Sequence, residues 1–162
     1  MASPASISKH PIHPMLVALP IGLWIFSLAS DVIYAMGWGG VTWKETALFT
    51  MAGGIVGALL AAVPGLIDLL SITNGKVKKI GIWHMSLNLV VVALYAINFW
   101  FRYSASVSAG TTIWLSVIGI GLLGVSGWLG GEMVYVHGVA VEPQGAGIQQ
   151  EGEDRSTPRR AA

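Results

Sequence analysis

The 162-residue chain is 54% hydrophobic and only 10% charged, and its mean hydropathy is +0.67. Soluble domains carry roughly 25% charged residues, so most of this surface is not made for water. A formal net charge of +1 excludes the basic footprint of a nucleic-acid partner. The absence of cysteine excludes disulfides, thiolate metal ligands and iron–sulfur ligation by this chain.

Residues 1–13 form an N-terminal segment. Only Lys9 precedes the first apolar run, and that run exceeds the roughly 7–15 residues of a signal h-region, so the first helix is expected to be retained. In the stretch HPIHP, residues 10–14, each of His10 and His13 is followed by a proline. Pro14 is placed at a first helical position, where its missing N–H costs nothing. Four apolar segments then follow, at about 14–36, 46–70, 80–101 and 111–134. Each is long enough to cross a ~30 Å hydrocarbon core with some tilt. The connections between them are short, which predicts an all-α, integral-membrane, up-down four-helix bundle over residues 14–137.

Local signals suit these spans. Thr42–Trp43–Lys44–Glu45 has the form of a capping box before the second helix. Asn74–Gly75 reads as its C-terminal stop. Pro20 and Pro64 fall inside spans and are expected to kink them. Residues 138–162 are polar and rich in glycine and proline, and read as a flexible or partner-bound tail.

Lysine and arginine are unevenly shared. Lys9, Lys76, Lys78, Lys79, Arg155, Arg159 and Arg160 fall on one side, and Lys44 and Arg102 on the other. The positive-inside rule then places both termini in the cytoplasm. Aromatics mark both interfaces, with Trp38, Trp43, Trp100 and Tyr103 outside and Trp83, Trp128 and Tyr135 inside.

Polar residues share helix faces at 100° per residue. The first helix aligns His13, Pro20, Trp24, Ser27 and Asp31, and the third aligns His84, Asn88, Tyr95 and Asn98. The second aligns Asp68 with Gly54, Gly57, Ala61 and Pro64, and the fourth aligns Glu132 with Gly121, Gly124 and Trp128. Polar groups avoid lipid and small residues allow close helix approach, so these four faces are expected to point inward. His13, Asp68, His84, Glu132 and His137 then gather near the cytoplasmic ends, and Asp31, Tyr95 and Asn98 meet near the other end. No ionisable side chain lies mid-span, which argues against a proton or ion path.

Two readings of the polar groups stand side by side. In one, His10 and His13 cap a helix end, and Asp68 bonds His84 to tie the second helix to the third. In the other, they form a site: a metal ion, or a b-type haem held by His13 and His84 from facing helices. Asp68 and Glu132 would orient the imidazoles, with Asn88 one turn deeper and His137 beside them. The glycines of the fourth helix (Gly121, Gly124, Gly127, Gly130, Gly131) fit either close packing or a flat cofactor against bare backbone.

The segments HPIHPMLVALPIGLW, PGLIDLL, WHMSLNLV and GWLGGEMVYVHGV resemble the motifs of a bacterial four-span membrane family of unknown function. The resemblance covers residues 9–141. Some members of that family are fused to Rieske-type iron–sulfur domains, which implies membrane redox work. His10, His13, Asp68, His84, Glu132 and His137 match the family pattern. Position 18 is often histidine there and is Ala18 here, which removes one candidate ligand.

Two functions compete. The first is a haem- or metal-binding electron-transfer protein of the bacterial inner membrane, with a redox partner. The second is a structural or accessory subunit of a larger membrane complex, without cofactor. No nucleophile–base set and no large extramembrane domain points to an enzyme.

Overall fold

The computed structural model describes residues 2–141. Its first element is a short hairpin in which β1 (Ser6–Ile7) pairs antiparallel with β2 (His10–Pro11). Ser8 and Lys9 form the turn with φ of 49° and 65°. Left-handed residues at both turn positions match the twist of the strands they join. The Ile12 N–H donates to the Ala5 carbonyl at 2.9 Å, which fastens this segment to the start of the bundle.

Extended Pro11 precedes α1 (Ile12–Leu16), and α2 (Ala18–Ala35) continues the span after a break at Val17. The break has a backbone cause. Pro20 has no N–H to give the Leu16 carbonyl, so the helical ladder lapses there. Pro14 is the third residue of α1 and Pro20 the third of α2, both in first turns where no N–H donor is needed.

The remaining helices are α3 (Val41–Ser71), α4 (Gly75–Tyr103) and α5 (Ala109–Gly131). A π-helical turn, Glu132–Val136, ends the bundle, with the His137 N–H on the Glu132 carbonyl. Among the described residues, four helical spans are long and apolar enough to cross a membrane: Ile12–Ala35, Val41–Ser71, Gly75–Tyr103 and Ala109–Val136. They run alternately up and down and pack against one another.

The helices extend beyond their apolar segments, and two expected caps change role. The second helix begins near Val41, not at 46, because Gly40 caps it with φ +66° and ψ −154°, a backbone shape suited to glycine. Thr42 therefore lies inside the helix, where its carbonyl accepts from Thr46 Oγ1. Asn74 starts a helix and does not stop one: its Oδ1 accepts from the Lys76 and Val77 N–H groups at the head of α4. Pro64 sits inside α3 without ending it. Of the expected tail, residues 142–162 lie outside the described residues. Val139 packs on a small cluster of Leu69, Ile72 and Val77.

Packing is closest within two hairpins, α2 with α3 and α4 with α5. Trp24, Met51, Val91 and Tyr95 are fully buried between the hairpins and form the main core. The inward face of α5 differs from the expected one. It carries Thr112, Ser116, Gly119 and Ser126. A side chain at Gly121, Gly124 or Gly127 would meet nothing within 4 Å, and Trp128 is 78% exposed. The longer glycine series thus faces outward, because hydroxyl-bearing Thr112, Ser116 and Ser126 needed protein partners more than the glycines needed contact. On α3 the expected face is the observed one, with Gly54, Gly57, Ala61, Pro64 and Asp68 all buried.

Candidate functional site

His13 lies at the N-terminal end of the bundle on α1, held by prolines on both sides. Its Nδ1 donates to the Ala61 carbonyl of α3 at 2.8 Å. The ring rests over Gly65, where a Cβ would come within 2.7 Å of Nδ1. His84 repeats the arrangement on the other hairpin. Its Nδ1 donates to the Ser126 carbonyl of α5 at 2.9 Å, and a Cβ on Gly130 would stand 3.2 Å from its Cε1. A carbonyl can only accept, so each neutral imidazole carries its proton on Nδ1 and keeps a lone pair on Nε2. The two ring centres are 6.3 Å apart and the planes are perpendicular, at 88°.

Asn88 stands one turn along α4 from His84. Its Nδ2 donates to the His84 carbonyl (2.8 Å) and to Ser126 Oγ (2.7 Å), and lies 3.2 Å from His84 Nε2. The histidines and Asn88 thus share one end of the bundle, as their helix faces required.

The acidic members of the expected cluster are engaged elsewhere. Asp68 does not bond His84. Its Oδ1 accepts from Ser3 Oγ at 2.6 Å and from the Ala5 N–H at 3.3 Å, so it anchors the N-terminal segment. Glu132 faces His137, with Oε1 and Nε2 3.9 Å apart at a partly exposed position. His10 turns back on its own strand turn, Nδ1 to the Ser8 carbonyl at 2.8 Å. Among the described residues, no group of three or more His, Cys, Asp or Glu side chains is placed to hold a metal ion. The expected four-residue convergence is replaced by a histidine pair, because the N-terminal segment and the helix end supply nearer partners for the two carboxylates.

A second polar constellation fills the opposite end. Asp31 receives both Arg102 Nη atoms, Nη1 to Oδ1 at 2.5 Å and Nη2 to Oδ2 at 2.6 Å. Arg102 Nε also donates to Asn98 Oδ1, and Nη2 reaches the Thr112 carbonyl and Ser116 Oγ. Asn98 Nδ2 donates to the Thr112 carbonyl and Ser116 Oγ, both at 2.9 Å. The gathering of Asp31 and Asn98 at this end was legible from helix faces, although Arg102 joins them and Tyr95, expected with them, stacks on Trp24 nearer the middle. The role of Arg102 was not legible, since its place at a helix end made it look like a loop charge. Also unforeseen were Ser126 and Gly65 beneath the histidines, whereas Gly130, from the glycine series expected at close contacts, does meet His84.

Among the described residues, no buried side-chain nitrogen or oxygen lacks a hydrogen-bond partner. Neither the comparison with curated proteins nor that with solved structures gives a match. The family model of the predicted membrane protein DUF2231 matches residues 9–143, and it encloses all four helices and both constellations, so the chain belongs to that family of predicted membrane proteins.

Proposed function

We propose that this membrane protein holds a redox-active group between His13 and His84 and passes electrons at the cytoplasmic end of the bundle. The observation that supports this reading is the matched state of the two imidazoles. Each has Nδ1 bound to a backbone carbonyl, the arrangement that orients histidine ligands and raises their basicity. Each is left with an Nε2 lone pair.

The donor set narrows the ligand. Two nitrogens, with no third His, Cys, Asp or Glu beside them among the described residues, do not complete a four-coordinate zinc site or an all-oxygen calcium site. They would suit a metal whose other ligands come from a prosthetic group, as in haem, with His13 and His84 as the side chains that would hold it. The two rings stand close enough, 6.3 Å centre to centre, for one group to be shared between them. Bound there, a haem would supply one-electron chemistry. The chain would hold it by two side chains and fix both tautomers, with Asn88 beside Nε2 of His84. Asp68, Glu132 and His137 take no direct part in this arrangement, and position 18, alanine here, supplies no ligand.

The lysines support the orientation. Lys9, Lys76, Lys78 and Lys79 stand at the histidine end. Arg102 is drawn into the bundle, which leaves Lys44, exposed in the first turn of α3, as the cation of the other end among the described residues. The positive-inside rule puts the histidine end in the cytoplasm of a bacterial inner membrane. The resemblance to a family with Rieske-fused members fits a redox partner there.

Visible absorption and metal analysis of the protein purified from membranes test the reading. A Soret band or stoichiometric copper or iron, lost in His84→Ala, is expected. A colourless, metal-free protein that co-purifies with a membrane complex would establish the accessory-subunit reading instead. The pairing of every buried side-chain nitrogen and oxygen among the described residues favours that second reading, because these groups call for no further partner.

A further inference from the structure

We infer that the chain is two tandem copies of one helical hairpin folded about a pseudo-twofold axis along the bundle, and that this axis makes His13 and His84 equivalent ligands of one shared group. The second half rests on the proposed redox reading; the first half stands by itself.

The equivalence is visible residue by residue. On the first helix of each hairpin, His13, Trp24, Ser27 and Asp31 correspond to His84, Tyr95, Asn98 and Arg102, each 71 residues later. On the second helix, Ala47, Met51, Gly54, Ala61 and Gly65 correspond to Thr112, Ser116, Gly119, Ser126 and Gly130, each 65 residues later. The difference between the two offsets is absorbed in the connection between the helices.

The contacts repeat with the residues. Each histidine binds the carbonyl of its counterpart position, Ala61 or Ser126, over a counterpart glycine. Trp24 Nε1 donates to the Met51 carbonyl, and Tyr95 Oη to the Ser116 carbonyl. Ser27 Oγ donates to the Ala47 carbonyl, and Asn98 Nδ2 to the Thr112 carbonyl. A Cβ on Gly54 would run into Trp24, and one on Gly119 into Tyr95.

Three equivalent pairs also touch across the hairpins: His13 with His84, Trp24 with Tyr95, and Asp31 with Arg102. A residue meets its own counterpart only on a twofold axis. Three such meetings, at one end, the middle and the other end, trace that axis through the bundle. Both hairpins start at the same end, so the axis runs along the membrane normal, the arrangement of parallel repeats. An axis would set two like charges face to face. Asp31 opposite Arg102 removes that repulsion and makes the pair the positioning device of the two repeats.

The full chain in detergent tests both halves. Asp31→Arg and Arg102→Asp singly should each lower the thermal midpoint by roughly 10 °C. The double variant should recover most of it, because an arginine at 31 finds the Ala47 carbonyl where Arg102 finds that of Thr112. The exchange Trp24→Tyr with Tyr95→Trp, which leaves charge untouched, should likewise recover relative to its singles. If neither double variant recovers, the duplication is wrong. Haem added to the wild type should give one low-spin haem per chain, and His13→Ala and His84→Ala should lose that spectrum to the same extent. A wild-type spectrum in either variant overturns the equivalence of the ligands. No haem binding by the wild type overturns the shared site together with the redox reading, while the exchange variants still decide the duplication.

Discussion

Trp24 and Tyr95 stack face to face at the middle of the bundle, with ring centres 4.3 Å apart and planes 2° from parallel. Both are fully buried, and each fixes its polar atom on a carbonyl of its own hairpin. Lipid offers no hydrophobic drive for helices to associate, so packing and hydrogen bonds of this kind hold the two hairpins together.

Trp24→Ala should therefore cost about 3 kcal/mol or more, since it leaves a cavity between hairpins and an unstacked Tyr95. Tyr95→Phe keeps the stack and loses one hydrogen bond, worth about 1 kcal/mol. Reversible unfolding in mixed detergent, followed by circular dichroism, measures both. Equal losses would mean that the hydroxyl, not the ring, holds the interface.

The glycines divide into two classes with opposite expectations. A methyl on Gly119 would stand 2.7 Å from Tyr95 Cε2, and Tyr95 has no room to retreat. Gly119→Ala should destabilise by about 1–3 kcal/mol. Gly124→Leu should leave the thermal midpoint of the monomer unchanged, because nothing lies within 4 Å of the added atom. A large loss for Gly124→Leu would show that this outer face is covered in the membrane.

How far the sequence carried the reading depended on whether a residue's partner was set by its own helix. Spans, inward faces of the first three helices and the convergence of His13 with His84 followed from periodicity and cost in lipid. The face of α5 was misjudged because glycine is ambiguous: it suits both a tight contact and a lipid-facing groove, and Ser126 and Ser116 carried the decisive signal. Asp68 was misassigned because its partners, Ser3 and Ala5, lie in a segment with no helical period to read. The equivalence of the hairpins was hidden because counterparts such as Trp24 and Tyr95, or Asp31 and Arg102, conserve geometry and not identity.

Asp68 ties the N-terminal segment to the end of α3 through Ser3 and the Ala5 amide. Hydrogen bonds to a charged acceptor are worth about 1.5–3 kcal/mol. Asp68→Ala should free the segment while the bundle persists. Hydrogen exchange at the Ala5 amide should speed up by more than tenfold, with the amides of α3 near Met51 unaffected. Unchanged exchange at Ala5 would assign the anchoring to the Ile12–Ala5 backbone bond instead.

The orientation proposed from charge predicts which loops face outward. Single cysteines at Gly40, in the loop between α2 and α3, and at Gly75, at the head of α4, serve as reporters in a chain with no native cysteine. An impermeant maleimide added to intact cells should label position 40 and spare position 75. The reverse pattern would put the histidine pair on the outer face and remove the cytoplasmic assignment.

The tautomers of the two histidines give the sharpest local test of the pair. Both Nδ1 atoms face carbonyl oxygens, Ala61 for His13 and Ser126 for His84. A carbonyl accepts only, so neutral rings must carry the proton on Nδ1. In His84 the unprotonated Nε2 then lies 3.2 Å from Asn88 Nδ2, whose two hydrogens serve the His84 carbonyl and Ser126 Oγ. Nitrogen-15 NMR of histidine-labelled, ligand-free protein, at a pH where the rings are neutral, should show His13 and His84 in the Nδ1–H form, the rarer tautomer in free histidine, together with His10, whose Nδ1 faces the Ser8 carbonyl. Asn88→Leu should change the Nε2 shift of His84 and leave His13 alone. Ala61 and Ser126 offer their main-chain oxygens, so Ser126→Ala should keep the His84 tautomer even though the hydroxyl is gone. If both rings appear as Nε2–H, the carbonyl bonds are absent in the membrane, and with them goes the preset orientation that makes the pair fit to hold a metal.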